Sequence, residues 1–413
     1  MAMLSRAFTD KQRKVLHYYL TRPFKIMILV GAVRAGKTYI DNYIFVYELK
    51  RIAKQAKKED ERHPRYILAG ATSDSIYKNV ISELENQFGL SLKPDRHGHY
   101  HLFGVDIIPV YTGSITGLKS ARGFTAYGAY INEASLCKHE IFDEIQNRCS
   151  KANSRIICDT NPDIPTHWLK TDYIDNHNKE AKIKAFTFTI DDNSFLPSDY
   201  VEALKASKTG VFYDRDILGL WATGAGIVYA DFDKATMIIP DSDVPDNLTY
   251  YCGVDWGFAE GHSNVITVWG DDNNGKHYLL DVFQDTGRYI SYWINLAQEL
   301  QAKYGPNVPF WCDSARPEYV SAFQQAGLNA MNANKSVMDG VEYVSSQIKL
   351  NKVRITQKAS KDFLDDLYQY EWDPVKGVPK KEHDNVMDSS RYALYSKFKS
   401  EQETAQVMDN YLF

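Results

Sequence analysis

Two α/β domains in series are what this sequence predicts, the first built on a mostly parallel sheet. Three observations carry that expectation. Short apolar runs alternate with helix-period stretches through the first half of the chain. A glycine-rich loop, Gly31 to Thr38, joins the first strand-like run to the first helix-like stretch. In the second half, three strand-like runs form a meander and are followed by a helix and a fourth strand.

Taken in order, Phe24 to Val30 has the length and apolarity of a buried strand. Ile40, Tyr43, Ile44 and Tyr47 recur at helical spacing after the loop. Arg65 to Gly70 reads as a strand, and Ile76, Val80, Leu84 and Phe88 mark one helix face. His101 to Val110 reads as a hairpin arm, and Tyr127 to Ile131, Arg155 to Cys158 and Ala185 to Ile190 as further strands. Gly219, Gly224 and Gly226 break the pattern in a region expected to be a lid or linker, residues 209–246, between domains spanning 1–208 and 247–413. The second domain opens with strands Tyr251 to Asp255, Asn264 to Trp269 and His277 to Phe283, the last two joined by an Asp-Asp-Asn-Asn-Gly turn. A helix over Ile290 to Tyr304, a strand over Val308 to Cys312, a helix from Pro317 and a strand near Leu328 follow.

With 413 residues, 44% apolar and 13% aromatic, the chain can bury more than one core, which excludes a disordered protein. A net charge of -5 means that any nucleic-acid surface must be local. Five cysteines, odd in number and without a C-x-x-C pair, point to a reduced compartment and away from zinc. No apolar run approaches membrane-spanning length, so no membrane partner is expected.

Gly31-Ala-Val-Arg-Ala-Gly-Lys-Thr38 matches the phosphate-cradling pattern G-x-x-x-x-G-K-[ST] in its required strand–loop–helix context. Gly31, Arg34, Ala35 and Gly36 would face the phosphates of ATP, Lys37 would reach the outer ones, and Thr38 would hold Mg²⁺. Glu133, at the end of the strand Ala129 to Asn132, stands where a water-activating base belongs. The residue before it is usually an acid that completes the Mg²⁺ shell. Here it is Asn132, so either Thr38 takes more of the load or the metal is held more weakly. In Asp159-Thr-Asn-Pro162, Thr160 or Asn161 is placed to sense the γ-phosphate; an ordinary Asn-Pro turn reads the same way. Two arginines can offer charge to phosphoryl transfer: Arg34 within the loop, and Arg122, which a neighbouring subunit could receive.

Asp255 and Asp313 each end a strand of the second domain, while Asp384 and Asp388 are four apart in an expected helix and would share a face. Such carboxylates can converge on a pair of divalent ions, and hard oxygens suit Mg²⁺ or Mn²⁺. The order β-β-β-α-β-α with acids at these points is a ribonuclease-H-like nuclease plan. Other signals read as structural. His97, His99 and His101 belong to an exposed hairpin, Lys50 to Lys58 to a solvated helix end, and Trp256 and Trp311 to the core.

Assembled, these motifs resemble the large terminase subunit of tailed bacteriophages across nearly the whole chain. The resemblance rests on Gln12, the loop Gly31 to Thr38, Arg122-Gly123, Ile131-Asn-Glu133, Thr160-Asn-Pro162 with Trp168, the segment Tyr213 to Trp221, Gly253-Val-Asp255, Cys312-Asp313 and the ending Asp384 to Tyr392. It implies a P-loop ATPase domain and a ribonuclease-H-like nuclease domain. It further implies an ATP-driven motor that moves double-stranded DNA into a procapsid and a Mg²⁺- or Mn²⁺-dependent endonuclease that cuts concatemers. By position, Gln12 would contact adenine, Glu133 would be the ATPase base, and Thr160-Asn161 would couple hydrolysis to movement. Arg122 would be the trans-acting finger. Asp255, Asp313 and Asp388 would bind the nuclease metals with Asp384 auxiliary. The implied partners are the small terminase subunit and the portal. The chain would form a ring when packaging, stand as a monomer in isolation, and work in the host cytoplasm rather than in the mature virion. Two rival readings are a helicase–nuclease of repair or recombination, for which no convincing motif set is found, and a docking subunit that uses ATP only as a switch.

Overall fold

A computed structural model describes residues 7–114, 117–257 and 263–411, with side chains described through residue 404. The chain divides into two units. One takes in the chain through Lys205 together with Gly210–Thr223, and the other takes Ala206–Thr209 and everything from Gly224. The expected lid segment is therefore shared between the units, and it contributes a helix, Gly210–Asp216, to the first.

In the first unit, strands β1 (Ile26–Gly31), β2 (Arg65–Gly70), β3 (Tyr100–Leu102), β4 (Val105–Tyr111), β5 (Gly128–Ile131), β6 (Arg155–Thr160) and β7 (Ile183–Phe188) form one sheet. Its order is β3-β4-β2-β5-β6-β1-β7. Only the β3–β4 hairpin is antiparallel. Every residue of β1 is buried because both sheet faces are covered, which is what a parallel sheet requires. Met27 and Leu29 pack with helices α1 (Asp10–Thr21) and α2 (Lys37–Lys58) through Leu16, Ile40 and Ile44. Ile26 and Ile28 face the other way, toward Ile141, Phe142 and Ile145 of α3 (His139–Arg148).

Three differences from the sequence expectation matter here. His101 to Val110 is two strands, separated by a turn at Phe103 and Gly104 with φ of 54° and 79°. The stretch carrying Ile76, Val80 and Leu84 is helical, but it widens into a π-turn at Tyr77–Ile81. Strand β6 runs two residues beyond Cys158, so Asp159 lies inside the sheet rather than in the turn that follows.

In the second unit, β8 (Ile238–Ile239), β9 (Thr249–Asp255), β10 (Asn264–Asp271), β11 (His277–Asp285), β12 (Pro309–Cys312), β13 (Asn329–Asn332) and β14 (Val353–Thr356) form a sheet in the order β13-β12-β9-β10-β11-β14-β8. Strands β9, β10 and β11 make an antiparallel meander. Strand β12 then pairs parallel to β9, giving the ribonuclease-H-like order. Helices α4 (Ile290–Tyr304) and α5 (Pro317–Gln325) cover one face, where Trp256, Trp293, Phe310 and Phe323 are buried together. Three more follow, α6 (Val337–Lys349), α7 (Ser360–Leu367) and α8 (Asn385–Tyr411). Helix α8 crosses β9 at Gly253, where an added Cβ would sit 1.9 Å from the Ser389 carbonyl oxygen. Only glycine permits that approach. Ser389 Oγ uses it to donate to Gly253 O at 2.9 Å, which seats the N-terminal turn of α8 beside the end of β9.

All five cysteines are free and buried. Among the described residues no helix is long and apolar enough to cross a membrane.

Candidate active sites

The loop between β1 and α2 takes a shape that few residues allow. Gly31 has φ 149°, and a Cβ there would lie 2.0 Å from Phe188 O of the neighbouring strand. Gly36 has φ 87° and opens α2 without a side-chain cap. Arg34 holds φ 57°, a conformation costly for a residue with a Cβ, and Asn193 Nδ2 secures its carbonyl at 2.6 Å. Gln12 Nε2 donates to Gly36 O at 2.8 Å while its Oε1 accepts from Thr9 N, so in this structure Gln12 is spent on bracing the loop and capping α1.

A cavity of about 490 Å³ opens over the loop, lined by residues 33–39 and by Asn132, Glu133, Asp159 and Asn161. Lys37 Nζ donates to Gly31 O at 2.8 Å, Ala32 O at 2.6 Å and Asn161 Oδ1 at 3.0 Å. Burial pushes its ammonium down to about 8, against the pull of Asp159, Asp216, Asp41 and Glu133. Glu133 follows β5 with φ 55° and ψ 54°, a left-handed residue at a strand tip. Its carboxyl is raised by burial and then by Asp159, with Lys37 opposing, which suits a group that must accept a proton. Thr160 Oγ1 accepts from Ser135 N at 2.9 Å.

Of the two arginines, Arg34 lines the cavity. Arg122 does not line it. Its side chain is 61% exposed and lies 3.9 Å from Glu144.

Two acids at this site escaped the sequence reading. Asp159 is 2% exposed and accepts from Thr38 Oγ1, from Asn132 Nδ2 at 2.9 and 3.2 Å, and from Glu133 N at 3.0 Å. Asp41, three residues after Thr38 on α2, is wholly buried and neither of its oxygens has a hydrogen-bond partner. Burial, reinforced by Asp159, pushes that carboxyl well above the usual range, with Lys37 opposing. An acid within the apolar face of α2 was the available signal.

In the second unit the parallel pairing of β9 with β12 sets Asp255 and Asp313 side by side at neighbouring strand ends, with Asp313 N donating to Val254 O at 2.9 Å. The Gly253 crossing brings Asp388, in the first turn of α8, to the same place. Asp384 lies one helical turn from Asp388, and both act on Asp255. Asp384 precedes the helix, and its carbonyl accepts from Asp388 N at 2.6 Å. Asp313, Asp384 and Asp388 are all buried. Asp255 carries the imprint of the cluster: burial, then Asp388, Asp313 and Asp384 in turn, push its carboxyl well above normal, and Lys381 opposes.

Cations partly answer this concentration of charge. Lys335 Nζ lies 2.5 Å from Asp313, Arg391 Nη2 lies 2.9 Å from Asp388, and Lys381 Nζ lies 3.7 Å from Asp388. Among the described residues no three acidic, His or Cys groups stand close enough to hold an ion as they are. The donor set nonetheless fits hard divalent ions: carboxylates only, mutually repelling, two of them neutralised by lysines whose side chains are 41% and 76% exposed and can withdraw. In the first unit Thr38 and its neighbouring oxygens fit Mg²⁺ on the same grounds.

The chain resembles known proteins on two levels. A family model described as terminase large subunit, T4likevirus-type, N-terminal, matches residues 28–235. A search of curated proteins finds no match. Among solved structures, the large terminase of a thermophilic bacteriophage aligns with TM-score 0.78 at 23% identity, covering 93% of this chain and 98% of that one. The same phage protein in complex with ADP aligns with TM-score 0.76 at 24% identity, and in complex with ATP-gamma-S with 0.75 at 23%, over the same shares of both chains. These likenesses establish a common fold over nearly the whole length. Taken with the family match, they show that this chain belongs to the terminase large subunits.

Proposed function

We propose that the first unit hydrolyses ATP to drive double-stranded DNA into a procapsid and that the second cuts concatemeric DNA as a metal-dependent endonuclease. One observation carries the reading. The phosphate loop, Glu133 and Asn161 share a single cavity, while four carboxylates from two strands and one helix start gather in the other unit. The thermophilic-phage terminase, alike in fold, was captured with ADP and with ATP-gamma-S, which favours the same nucleotide class here.

In the ATPase, the loop amides and the N-terminus of α2 receive the phosphates. Lys37 exchanges its loop carbonyls for the outer phosphate oxygens, and the released Asn161 reports that exchange to the chain beyond β6. Glu133 takes the proton of the attacking water. Arg34 offers charge from within the loop; Arg122, exposed at the surface, would serve a neighbouring subunit in a packaging ring. Mg²⁺ held by Thr38 would neutralise charge on the β- and γ-phosphates.

In the nuclease, Asp255, Asp313 and Asp388, with Asp384 beside them, would hold Mg²⁺ or Mn²⁺, which supplies Lewis-acid charge at the scissile phosphate. Lys335 and Lys381 then leave their carboxylates, and Arg391, 1% exposed, keeps Asp388 oriented. The portal, the small terminase subunit and DNA are the partners, met in the cytoplasm of the infected cell.

Measuring ATP turnover with and without portal and duplex DNA, beside plasmid cleavage in Mg²⁺ or Mn²⁺, tests this. Turnover stimulated by both partners, together with metal-dependent cutting, is expected. Strand unwinding would point instead to a helicase, and nucleotide binding without turnover to a switch.

A further inference from the structure

The strand-tip residue that should bring a carboxylate to the nucleotide's metal is Asn132, an amide without charge. The neighbouring strand supplies what is missing. Residues Ile131 and Cys158 are partners across β5 and β6, and Leu29 and Asp159 are partners across β1 and β6. Asp159 is therefore held between the tip carrying Asn132 and the strand that feeds the phosphate loop. It lines the nucleotide cavity although only 2% of it is exposed. Its Oδ2 is hydrogen-bonded by Thr38 Oγ1, the hydroxyl that P-loop proteins turn toward Mg²⁺.

The amide at 132 is also oriented. Asn79 Nδ2 donates to Asn132 Oδ1 at 2.9 Å, which turns the Asn132 NH₂ onto both oxygens of Asp159. Glu133 N holds the same carboxylate at 3.0 Å. Lys37 is drawn to Asp159 electrostatically, yet its ammonium is spent on Gly31 O, Ala32 O and Asn161 Oδ1. The hydrogen bonds that grip this buried carboxylate come from neutral donors, one of them the metal-seeking hydroxyl.

We propose that Asp159 is the acidic residue of the Mg²⁺–nucleotide site and that Asn132 is its positioning residue, the acid having moved one strand across the sheet. This rests on the reading of the first unit as a nucleotide site.

The test is equilibrium binding of a fluorescent, non-hydrolysable ATP analogue, titrated with Mg²⁺ from an EDTA baseline. Asp159→Asn should raise the Mg²⁺ concentration for half effect about 10-fold or more while shifting the EDTA affinity by no more than about 2-fold. The exchange Asn132→Asp with Asp159→Asn should recover most of that loss. Asn132→Ala, which keeps the acid but removes the amide that orients it, should raise the Mg²⁺ requirement a few-fold, less than Asp159→Asn does, with the EDTA affinity unchanged, and it is read by itself should Asp159→Asn not fold. An unchanged Mg²⁺ response in Asp159→Asn or in Asn132→Ala, or equal weakening in EDTA, overturns the proposal. Failure of the wild-type chain to bind the analogue at any Mg²⁺ concentration overturns the nucleotide reading itself.

Discussion

The two units handle buried negative charge in opposite ways. In the first, Asp159 is satisfied by a hydroxyl, an amide and a backbone N–H, and Lys37 is folded onto loop carbonyls. The site is shaped before any ligand arrives, because backbone geometry at Gly31, Arg34, Gly36 and Glu133 fixes it. In the second, carboxylates from β9, β12 and the start of α8 repel one another and rely on Lys335, Lys381 and Arg391. A loop closed by local hydrogen bonds can be preorganised by neutral groups. Acids brought together by long-range packing are held beside one another with counter-charge close by.

The sharpest way to break this comparison is to remove one site and watch the other. Lys37→Ala should lower ATP turnover by roughly 1000-fold while metal-dependent plasmid cleavage persists. Cleavage lost alongside turnover would mean the sites are not separate. Asp313→Asn should lower cleavage by roughly 100-fold with ATP turnover retained, measured under the same Mn²⁺ conditions.

A smaller effect probes the acids' surroundings. Asp366 accepts from Val386 N at 2.8 Å, and burial raises its carboxyl from 3.8 to about 6. Below pH 3.8 both folded and unfolded chains hold the proton. As pH climbs to about 6 the unfolded chain releases it first, so stability falls by at most about 3 kcal/mol and then levels. Asp366→Asn should flatten that part of the profile in denaturation measured from pH 4 to 7; an unaltered slope would assign the dependence to other groups. Smallest is Lys335→Ala. If the lysine competes with an ion at Asp313, the Mn²⁺ needed for half-maximal cleavage should drop a few-fold, whereas a rise would make Lys335 part of the catalytic arrangement.

Much of the frame was legible because it is locally encoded. Arg65–Gly70 is an apolar run between turn residues, and Ile290–Tyr304 has a helical period; both elements have the predicted bounds. What escaped was non-local. Strand β14 carries Arg354 between apolar residues and is recognisable only once β11 pairs with it. Asp159 read as the start of an Asn-Pro turn, since an acid is a poor strand former, yet tertiary donors from α2 and β5 hold it in the sheet. The lysines that neutralise Asp313 and Asp388 lie in other segments, beyond the reach of any spacing rule.

The most direct measurement is an anomalous difference map from crystals of the intact chain soaked in Mn²⁺. The account predicts Mn²⁺ density bounded by Asp255, Asp313 and Asp388, with Lys335 and Lys381 moved aside. Density elsewhere in the second unit, with these aspartates still bound to their lysines, would contradict it.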